Sequence, residues 1–411
     1  MSLAETLRTG GFRTAATRVL AVLVVAAAVA AAQQPVAEPP VMRFAAWNML
    51  NLFDNTDDPE KSDEGTDPKS FIDAGYLARG IDSLQTDVLA VEEVENRAVL
   101  ERLNARLARP FAYVELLEGN DPRGIDVGIL SRFPVEAARS HRLMDLAGGA
   151  KFARDFPVYR VRLAKDRAVN VGVVHLKSKL GDKAESDAWR LAEAQAARSI
   201  LEELRKTEAG TPVVVMGDFN DHRDAATLAP FFTFLKDVTL MVPEKDRFSF
   251  VHEKKGEQID FILASEDLKP VKAGIVHAAD NPSDHCPVWA DFAAPEGLER
   301  KVAAAAPVPV APKRASLDAK DLVGLEKHLL KEVSATGTVV KVHRSSGGVS
   351  LNFHEDYKKA LVVFIPKSAE MRFADLDALV GKSLTVAGPV TRYKDQLQVR
   401  MTRPEQIEPS K

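Results

Sequence analysis

Apolar positions recur along this chain in two rhythms. Short, β-branched-rich runs at Phe44–Leu50, Val88–Glu92, Val127–Leu130, Val169–His175, Val213–Met216 and Phe261–Leu263 predict buried strands. Between them lie segments of helical period. Over residues 184–206, Leu191, Ala194, Ile200, Leu201 and Leu204 fall on one face, with Glu and Arg opposite, and residues 96–107 repeat the pattern. Strands alternating with helices predict a layered α/β domain over residues 42–293. The rhythm then stops. Residues 294–315 (APEGLERKVAAAAPVPVAPKRA) are Ala/Pro-rich and read as a linker, and residues 316–411 form a second, smaller domain.

The ends and the composition add to this picture. Residues 1–32 read as a signal peptide: Arg8, Arg13 and Arg18 make a basic n-region, Val19–Ala32 is built of Val, Leu and Ala, and Ala30 and Ala32 suit a cleavage site before Gln33. The expected location is therefore periplasmic or extracellular, the alternative being an uncleaved N-terminal anchor. The apolar run is short for a bilayer span, and nothing later in the sequence reads as transmembrane. Residues 33–41 are a Pro-rich spacer. The chain has 411 residues, 45% hydrophobic and 28% charged, which suits two or three globular domains. A formal net charge of −4 does not by itself advertise a polyanion binder. With one cysteine, Cys286, an internal disulfide is excluded; next to His285 it invites a nucleophile role, but a small buried strand residue is the plainer reading.

Polar residues gather where the predicted strands end. Trp47-Asn48 closes the first and Glu92-Glu93 the second; His175 ends VNVGVVHL; Asp218 and Asn220 follow VVVMG; Asp260 precedes FIL; Asp284-His285 precede PVW. Groups at the ends of buried strands face the mouth of a sheet, where function concentrates. Carboxylates, an amide and two imidazoles converging there suit a hard cation bound through oxygen, Mg²⁺ or else Mn²⁺ or Ca²⁺, rather than zinc. Singly each motif is weak. GDFN is a common turn, SDH suits a helix cap, and a lone His175 suits a satisfied core histidine. Their order and spacing together carry the signal.

The set WNMLNLFD, LAVEEVEN, RGIDVGILSRFPV, VGVVHLKSK, VVVMGDFND, QIDFILAS and NPSDHCPVWADF resembles the endonuclease/exonuclease/phosphatase superfamily, most of all its bacterial secreted nucleases. The resemblance spans about 250 residues and implies the deoxyribonuclease I-like fold, a four-layer α/β/β/α sandwich. It further implies Glu93, Asn48 and Asp284 as metal ligands, with Asn48 also contacting phosphate. Asp218 and Asn220 would position the attacking water and the phosphate, with Asp218 a candidate base; His285, oriented by Asp260, would polarise the phosphoryl oxygen or shuttle a proton, and His175 would be the second catalytic histidine, contacting the phosphate or leaving group. Arg123, Arg154 and Lys177 are candidate phosphate contacts, each also readable as a solvated surface charge, and Lys179 stands with them. One departure is Glu92-Glu93 where the superfamily usually has Gln-Glu. Alternation along a strand points only one of the two at a given face, and Glu93 is preferred. The acidic loop Asp54, Asp57, Asp58, Asp63, Glu64, Asp67 reads as solvated, with a structural Ca²⁺ site as the alternative.

In the smaller domain, residues 334–343, 348–354, 359–366, 383–393 and 396–402 read as five strands, with a helix over 371–380 between the third and fourth, which fits an OB-fold barrel. GKSLTVAGPVTRYKDQLQVRMTRPEQI is similar to bacterial OB-type nucleic-acid-binding modules. Residues 313–411 hold seventeen Lys and Arg against twelve Asp and Glu, a basic module on an acidic remainder. Tyr393, between Arg392 and Lys394, is the best placed aromatic for stacking a base, while Phe353 shares a face with Val349 and Leu351 and reads as core. The leading expectation is thus a secreted, metal-dependent nuclease acting on DNA or RNA, its tethered module holding the polyanion, so that truncation weakens substrate binding more than turnover. The alternative is a phosphatase or a phospholipid phosphodiesterase, sphingomyelinase-like, on the same fold; a binding protein without catalysis is a third reading.

Overall fold

A computed structural model describes residues 40–56, 58–63, 66–252, 255–301, 303 and 313–408. The signal-peptide and cleavage-site readings, residues 33–39 of the spacer, Asp57 and Glu64 of the acidic loop, residues 302 and 304–312 of the linker, and residues 409–411 of the second domain lie outside the described residues.

The first part of the chain supplies strands β1 Val41–Leu52, β2 Val88–Val94, β3 Tyr113–Leu117, β4 Asp126–Ser131, β5 Val135–Arg139, β6 Val158–Ala164, β7 Arg167–His175 and β8 Val213–Asp218. They continue as β9 Lys236–Asp237, β10 Phe250–His252, β11 Lys255–Glu257, β12 Asp260–Ala264, β13 Pro270–Ile275 and β14 Val288–Ala293. Each predicted strand is there, extended by a few residues at its ends. Two six-stranded sheets result, ordered β13-β14-β1-β2-β4-β3 and β5-β6-β7-β8-β12-β9, with β10 and β11 a separate hairpin.

Three apolar layers organise these sheets. Between them, Phe44, Val88 and Ile129 of the first meet Tyr159, Val171, Met216 and Ile262 of the second. Outside the first sheet lie helices α1 Phe71–Leu84 and α2 Arg97–Asn104, whose Leu77, Ile81, Leu100 and Leu103 pack on Leu89 and Val91. Outside the second lies α3 Lys183–Thr207, whose Ala194, Ala197 and Leu201 pack on Val174, Val213 and Val215. Mixed sheets covered on both sides by helices are consistent with a deoxyribonuclease I-like α/β fold. Local chemistry starts each helix: Ser70, Asn96 and Asp182 accept from the backbone N–H of Asp73, Val99 and Glu185. The helix predicted over 96–107 stops at Asn104, whose side-chain carbonyl accepts from Phe111 N at 2.8 Å while its amide donates to Phe111 O at 3.0 Å. The chain leaves β14 along this same body: Leu298 packs on the inter-sheet core, and Glu299 N donates to Leu163 O at 3.0 Å.

The C-terminal region is sheet-rich, with β15 Ala315–Asp318, α4 Leu322–Glu326, β16 Glu332–Thr338, β17 Lys341–Ser345, β18 Gly348–Asn352, β19 Val362–Pro366, β20 Ser383–Tyr393, β21 Gln396–Arg400 and β22 Ile407–Glu408. Its ladders run β15-β16-β20-β21-β19-β18-β17, with β22 on β20, and among the described residues they do not close into a barrel. The stretch 334–343, expected as one strand, is two. Val339 N bonds back to Lys382 O, while Val340 N bonds forward to Asn352 O, so the backbone changes partner at that point. The helix expected over 371–380 is absent. Two single 3₁₀ turns, Glu370–Arg372 and Asp377–Leu379, stand there, separated by Phe373 in an extended conformation. Asp375 Oδ1 caps the second turn by accepting from Asp377 N at 3.1 Å, a local bond that competes with a continuous helix.

The two parts are locked together by polar contacts. Arg403 Nε lies 3.2 Å from Asp73 Oδ1, both buried, and Thr402 Oγ1 donates to the same carboxylate at 2.9 Å. Tyr76 Oη donates to Glu405 at 2.7 Å, and Glu332 accepts from Phe71 N at 2.9 Å.

Candidate functional site

Register builds the site. In the second sheet His175 of β7 pairs with Asp218 of β8, and Asp218 pairs with Asp260 of β12, so three strand ends set these side chains in one row. In the first sheet Asn48 of β1 pairs with Glu92 of β2 at the corresponding rim. The loop before β14 adds Asp284 and His285.

The pieces meet at hydrogen-bond distances. Asn48 Nδ2 donates to Glu93 Oε1 at 3.2 Å and to Asp218 Oδ2 at 3.3 Å. His285 Nδ1 lies 2.9 Å from Asp260 Oδ2, leaving Nε2 at 3.8 Å from Asp218 Oδ2. His175 Nε2 is 3.6 Å from Asp218 Oδ2 and 3.9 Å from Glu93 Oε1. Asn220, at φ 52°, turns back so that its N–H donates to Asp218 Oδ1 at 2.7 Å and its amide donates to Leu176 O at 3.0 Å. All of the row is buried.

Strand alternation does not decide between Glu92 and Glu93 here, because the strand is interrupted. Glu93 has φ 60°, and the pairing of β2 with β4 shifts register between Glu92 and Val94. The bulge brings Glu93 to Asn48 and to the N–H of Asn51, whose donor reaches Oε2 at 2.9 Å. Glu92 is completely buried, and neither carboxylate oxygen has a hydrogen-bond partner.

Burial and crowding set the protonation. Burial raises Glu92 well above the usual carboxylate range, and the neighbouring Asp260 and Asp218 charges push it further. Burial also raises Asp218 to about 7, opposed by His285 and reinforced by Asp260. For His285 burial disfavours the cation, yet Asp260 and Asp218 outweigh it and hold the pKa well above 6.5. His175 moves the other way, through burial first and then the positive charges of Arg154, His285 and Arg123, so at neutral pH it is an uncharged imidazole.

These residues fit a divalent cation. Glu92, Glu93, Asp218, Asp260 and Asp284 crowd one rim, Glu92 and Asp284 Oδ1 are buried without partners, and His285 supplies the balancing charge within the row. Buried carboxylates in such excess are costly without a counter-charge. Ligand atoms of Asp218, Asp260 and His285 lie within 4.8 Å of one another, with His285, held as a cation, standing beside the carboxylates and not among the ligands. Asn48, expected as a ligand, presents its NH₂ to Glu93 and Asp218, while its oxygen accepts from Leu50 N at 2.9 Å. As placed, it is a donor aimed at the carboxylates.

The candidate phosphate contacts divide. Arg154 is buried, 3.2 Å from Asp121 Oδ2, and donates to Leu176 O at 3.2 Å, directly after His175. Arg123 shares Asp121 at 3.2 Å, so both guanidinium groups stand on the His175 side. Lys177 is not brought in: its ammonium donates to the carbonyls of Ser178 and Leu180 of its own loop, each at 3.0 Å. Lys179 pairs with Asp221 at 3.6 Å. In the C-terminal region Arg392 pairs with Glu326, while Tyr393 is exposed, with Lys394 Nζ 5.4 Å from its ring centre. In the acidic loop Asp54 pairs with Arg102 and Asp67 with Arg400. Cys286 is buried but precedes β14 rather than lying in it, and burial pushes its thiol up to about 11, away from nucleophile chemistry.

Some contributors were not singled out in the sequence, although Ser283 lies inside NPSDHCPVWADF. Ser283 Oγ donates to Asn48 O at 2.7 Å and accepts from His285 N at 3.0 Å, tying the β13–β14 loop to the end of β1 within the first sheet. Ser249 Oγ accepts from Asp260 N at 3.0 Å. A cleft of about 1530 Å³ opens at the Asp284 edge, walled by Leu50, Asn51 and Lys69 on one side and Arg344, Lys367 and Arg372 on the other.

Against known proteins, a family model described as Endonuclease/Exonuclease/phosphatase family matches residues 43–238. Asp260, Asp284 and His285 lie beyond that match, so their place in the site comes from the geometry. No curated protein matches the chain. Among solved structures the chain is similar to TDP2 from Caenorhabditis elegans, at 18% identity over 62% of this chain and 75% of that one, with a TM-score of 0.46. It is similar to the human Nocturnin catalytic domain with bound sulfate anion, at 18% identity over 62% and 94%, TM-score 0.46. It is also similar to a mannosyl-6-phosphatase from Bacteroides thetaiotaomicron, at 16% identity over 61% and 99%, TM-score 0.45. The family match and the buried acid–imidazole group support phosphoester hydrolysis as the class of chemistry.

Proposed function

We propose that the protein is an exported, divalent-metal-dependent nuclease that hydrolyses phosphodiester bonds of DNA or RNA. The observation that carries the catalytic part is the buried row His175–Asp218–Asp260 of the second sheet meeting Asn48, Glu93 and His285 from the first. Glu93, Asp284 and the unpartnered Glu92 would hold the cation, with Asp218 at its edge. Bound there, Mg²⁺ would neutralise charge on the phosphoryl oxygens. The chain's own residues do the rest. Asp218, poised at about 7, takes a proton from the attacking water, which the Asn220 turn helps to place. His285, kept protonated by Asp260, donates to a phosphoryl oxygen or the departing alkoxide. Neutral His175 donates one hydrogen bond to the phosphate, with Arg154 and Arg123 behind it.

Nucleic acid as substrate rests on the C-terminal region. Its ladder order places β16 and β17 near opposite ends of the path although only Val339-Val340 joins them, which supports an OB-like module. Its basic balance and the exposed Tyr393–Lys394 turn support a polyanion contact. A phosphatase or phospholipid phosphodiesterase would use the same catalytic groups. Export rests on the leader-like sequence of residues 1–32. No described helix is long and apolar enough to cross a membrane. A substrate panel with Mg²⁺, Mn²⁺ and Ca²⁺ decides the substrate. The expected result is cleavage of DNA or RNA; turnover confined to sugar phosphates or sphingomyelin vesicles would reject it.

A further inference from the structure

We infer that the C-terminal region is a brace of the active site, in which Arg372 and Arg403 are positioning residues for the loop carrying Asp284 and His285. The inference rests on the reading of His285 as the proton donor. Between Ile275 at the end of β13 and Val288 at the start of β14 the chain has no strand or helix, only an isolated bridge of His285 to Phe250, and residues 276–284 before that bridge are irregular. An irregular loop that delivers a catalytic side chain needs its backbone groups satisfied by partners that hold one conformation. Within the loop, Asn281 does much of this: Oδ1 accepts from Ser283 N at 3.0 Å, and Nδ2 donates to His285 O at 2.6 Å.

What holds Asn281 comes from more than ninety residues further on. Arg372 Nη2 donates to Asn281 O at 2.6 Å, and Arg403 Nη2 donates to Asp280 O at 2.6 Å. Arg403 is fixed in turn. It is buried, its Nε faces Asp73 Oδ1 at 3.2 Å, and its guanidinium lies 3.6 Å above the Tyr76 ring centre. One side chain thus joins α1, the catalytic loop and the turn after β21. The planar fork of a guanidinium can serve carboxylate, carbonyl and ring at once in one fixed geometry, whereas an ammonium is a point charge on a flexible stem without that fork. A chain of contacts therefore runs Asp73–Arg403–Asp280 and Arg372–Asn281–His285. This gives the C-terminal region a role beyond polymer binding. A tethered module that only holds a polymer would leave chemistry on a small substrate untouched, whereas a brace affects turnover of every substrate.

The test uses the full chain with Arg372→Ala, Arg403→Ala and Arg403→Lys. Each is assayed with Mg²⁺ on the small diester bis(p-nitrophenyl) phosphate and on single-stranded DNA, and hydrogen exchange is followed over residues 276–287. Displacement of a catalytic group by about 1 Å costs on the order of 100-fold in rate, so kcat should fall about 10- to 100-fold on both substrates, with KM for the small diester within about twofold. The loop amides should exchange faster in all three variants, and Lys at 403 should not rescue. Arg372, half-buried at the edge of the loop, covers the case in which Arg403→Ala fails to fold. Unchanged kcat on the small diester with only a raised KM for DNA would overturn the brace, as would unchanged loop exchange in Arg372→Ala. Should the wild type hydrolyse neither substrate, the proposed function falls and loop exchange alone decides the brace.

Discussion

The Glu92 carboxylate occupies space that is open only because residue 217 is glycine: a Cβ at Gly217 would sit 2.7 Å from Glu92 Oε1. The same Cβ would meet Val174 O at 2.2 Å, and Gly217 has φ 133°. Gly217→Ala therefore meets a clash, backbone strain and a crowded carboxylate together. It should lower unfolding stability by more than about 3 kcal/mol, above the usual overpacking cost. The control is Gly210→Ala, with φ 79° and nothing within 4 Å of a Cβ, where about 1 kcal/mol of strain is expected. Urea unfolding of both separates the two; equal losses would remove the steric account of Gly217.

Glu92 itself is buried without a partner, so its charge is a burden on the metal-free protein. Glu92→Gln keeps the shape and removes the charge. The metal-free variant should melt higher than wild type at pH 8 and gain less on addition of Mg²⁺, which stabilises only what binds it. Thermal melts with and without Mg²⁺ read both effects. A variant that is destabilised without metal and stabilised by Mg²⁺ as strongly as wild type would show that Glu92 serves the fold instead.

Asp126 offers a pH test away from the catalytic row. Burial raises it to about 7; Oδ1 accepts from Gly119 N at 2.6 Å, and Oδ2 has no partner. The native state holds this proton more tightly than the unfolded chain, so the stabilisation is complete below about pH 4 and is lost as pH rises through about 7, at up to about 1.4 kcal/mol per pH unit. Asp126→Asn should remove this share of the slope of unfolding free energy between pH 4 and 7. An unaltered slope would mean that Asp126 titrates normally.

Asp260→Asn leaves His285 without its carboxylate. The imidazole pKa should fall, moving the basic limb of the pH–rate profile to lower pH and lowering kcat about 100- to 10,000-fold, the range for a lost proton-transfer partner. A profile that keeps its basic limb would separate His285 from the proton transfer.

How much of this was legible in the sequence follows from range. The six apolar strands were, because burial on both faces leaves continuous β-branched runs such as VVVMG. The convergence of Asn48, Asp218, Asp260 and His285 was legible too, since each stands at the end of such a run or just before one. Helix α1 was missed, its apolar Leu77, Ile81 and Leu84 being diluted by Gly75, Gly80 and Asp82, although Ser70 marks its start. The Glu92/Glu93 question could not be settled by alternation, because the φ of Glu93 is imposed by tertiary contacts with Asn48 and Asn51. Lys177 read as a candidate phosphate contact or a solvated charge, and its length lets it satisfy its own loop instead. The hold of Arg372 and Arg403 on the catalytic loop spans 91 and 123 residues of sequence, and no local pattern announces such a contact.

The most direct measurement of the central claim is cleavage of a DNA or RNA strand by wild type and by His285→Ala, with Mg²⁺ and with a chelator. The row around His285 predicts metal-dependent cleavage by wild type and a loss of about 100- to 10,000-fold in His285→Ala, with the fold intact by circular dichroism. Cleavage that survives chelation, or that proceeds equally in His285→Ala, would contradict it.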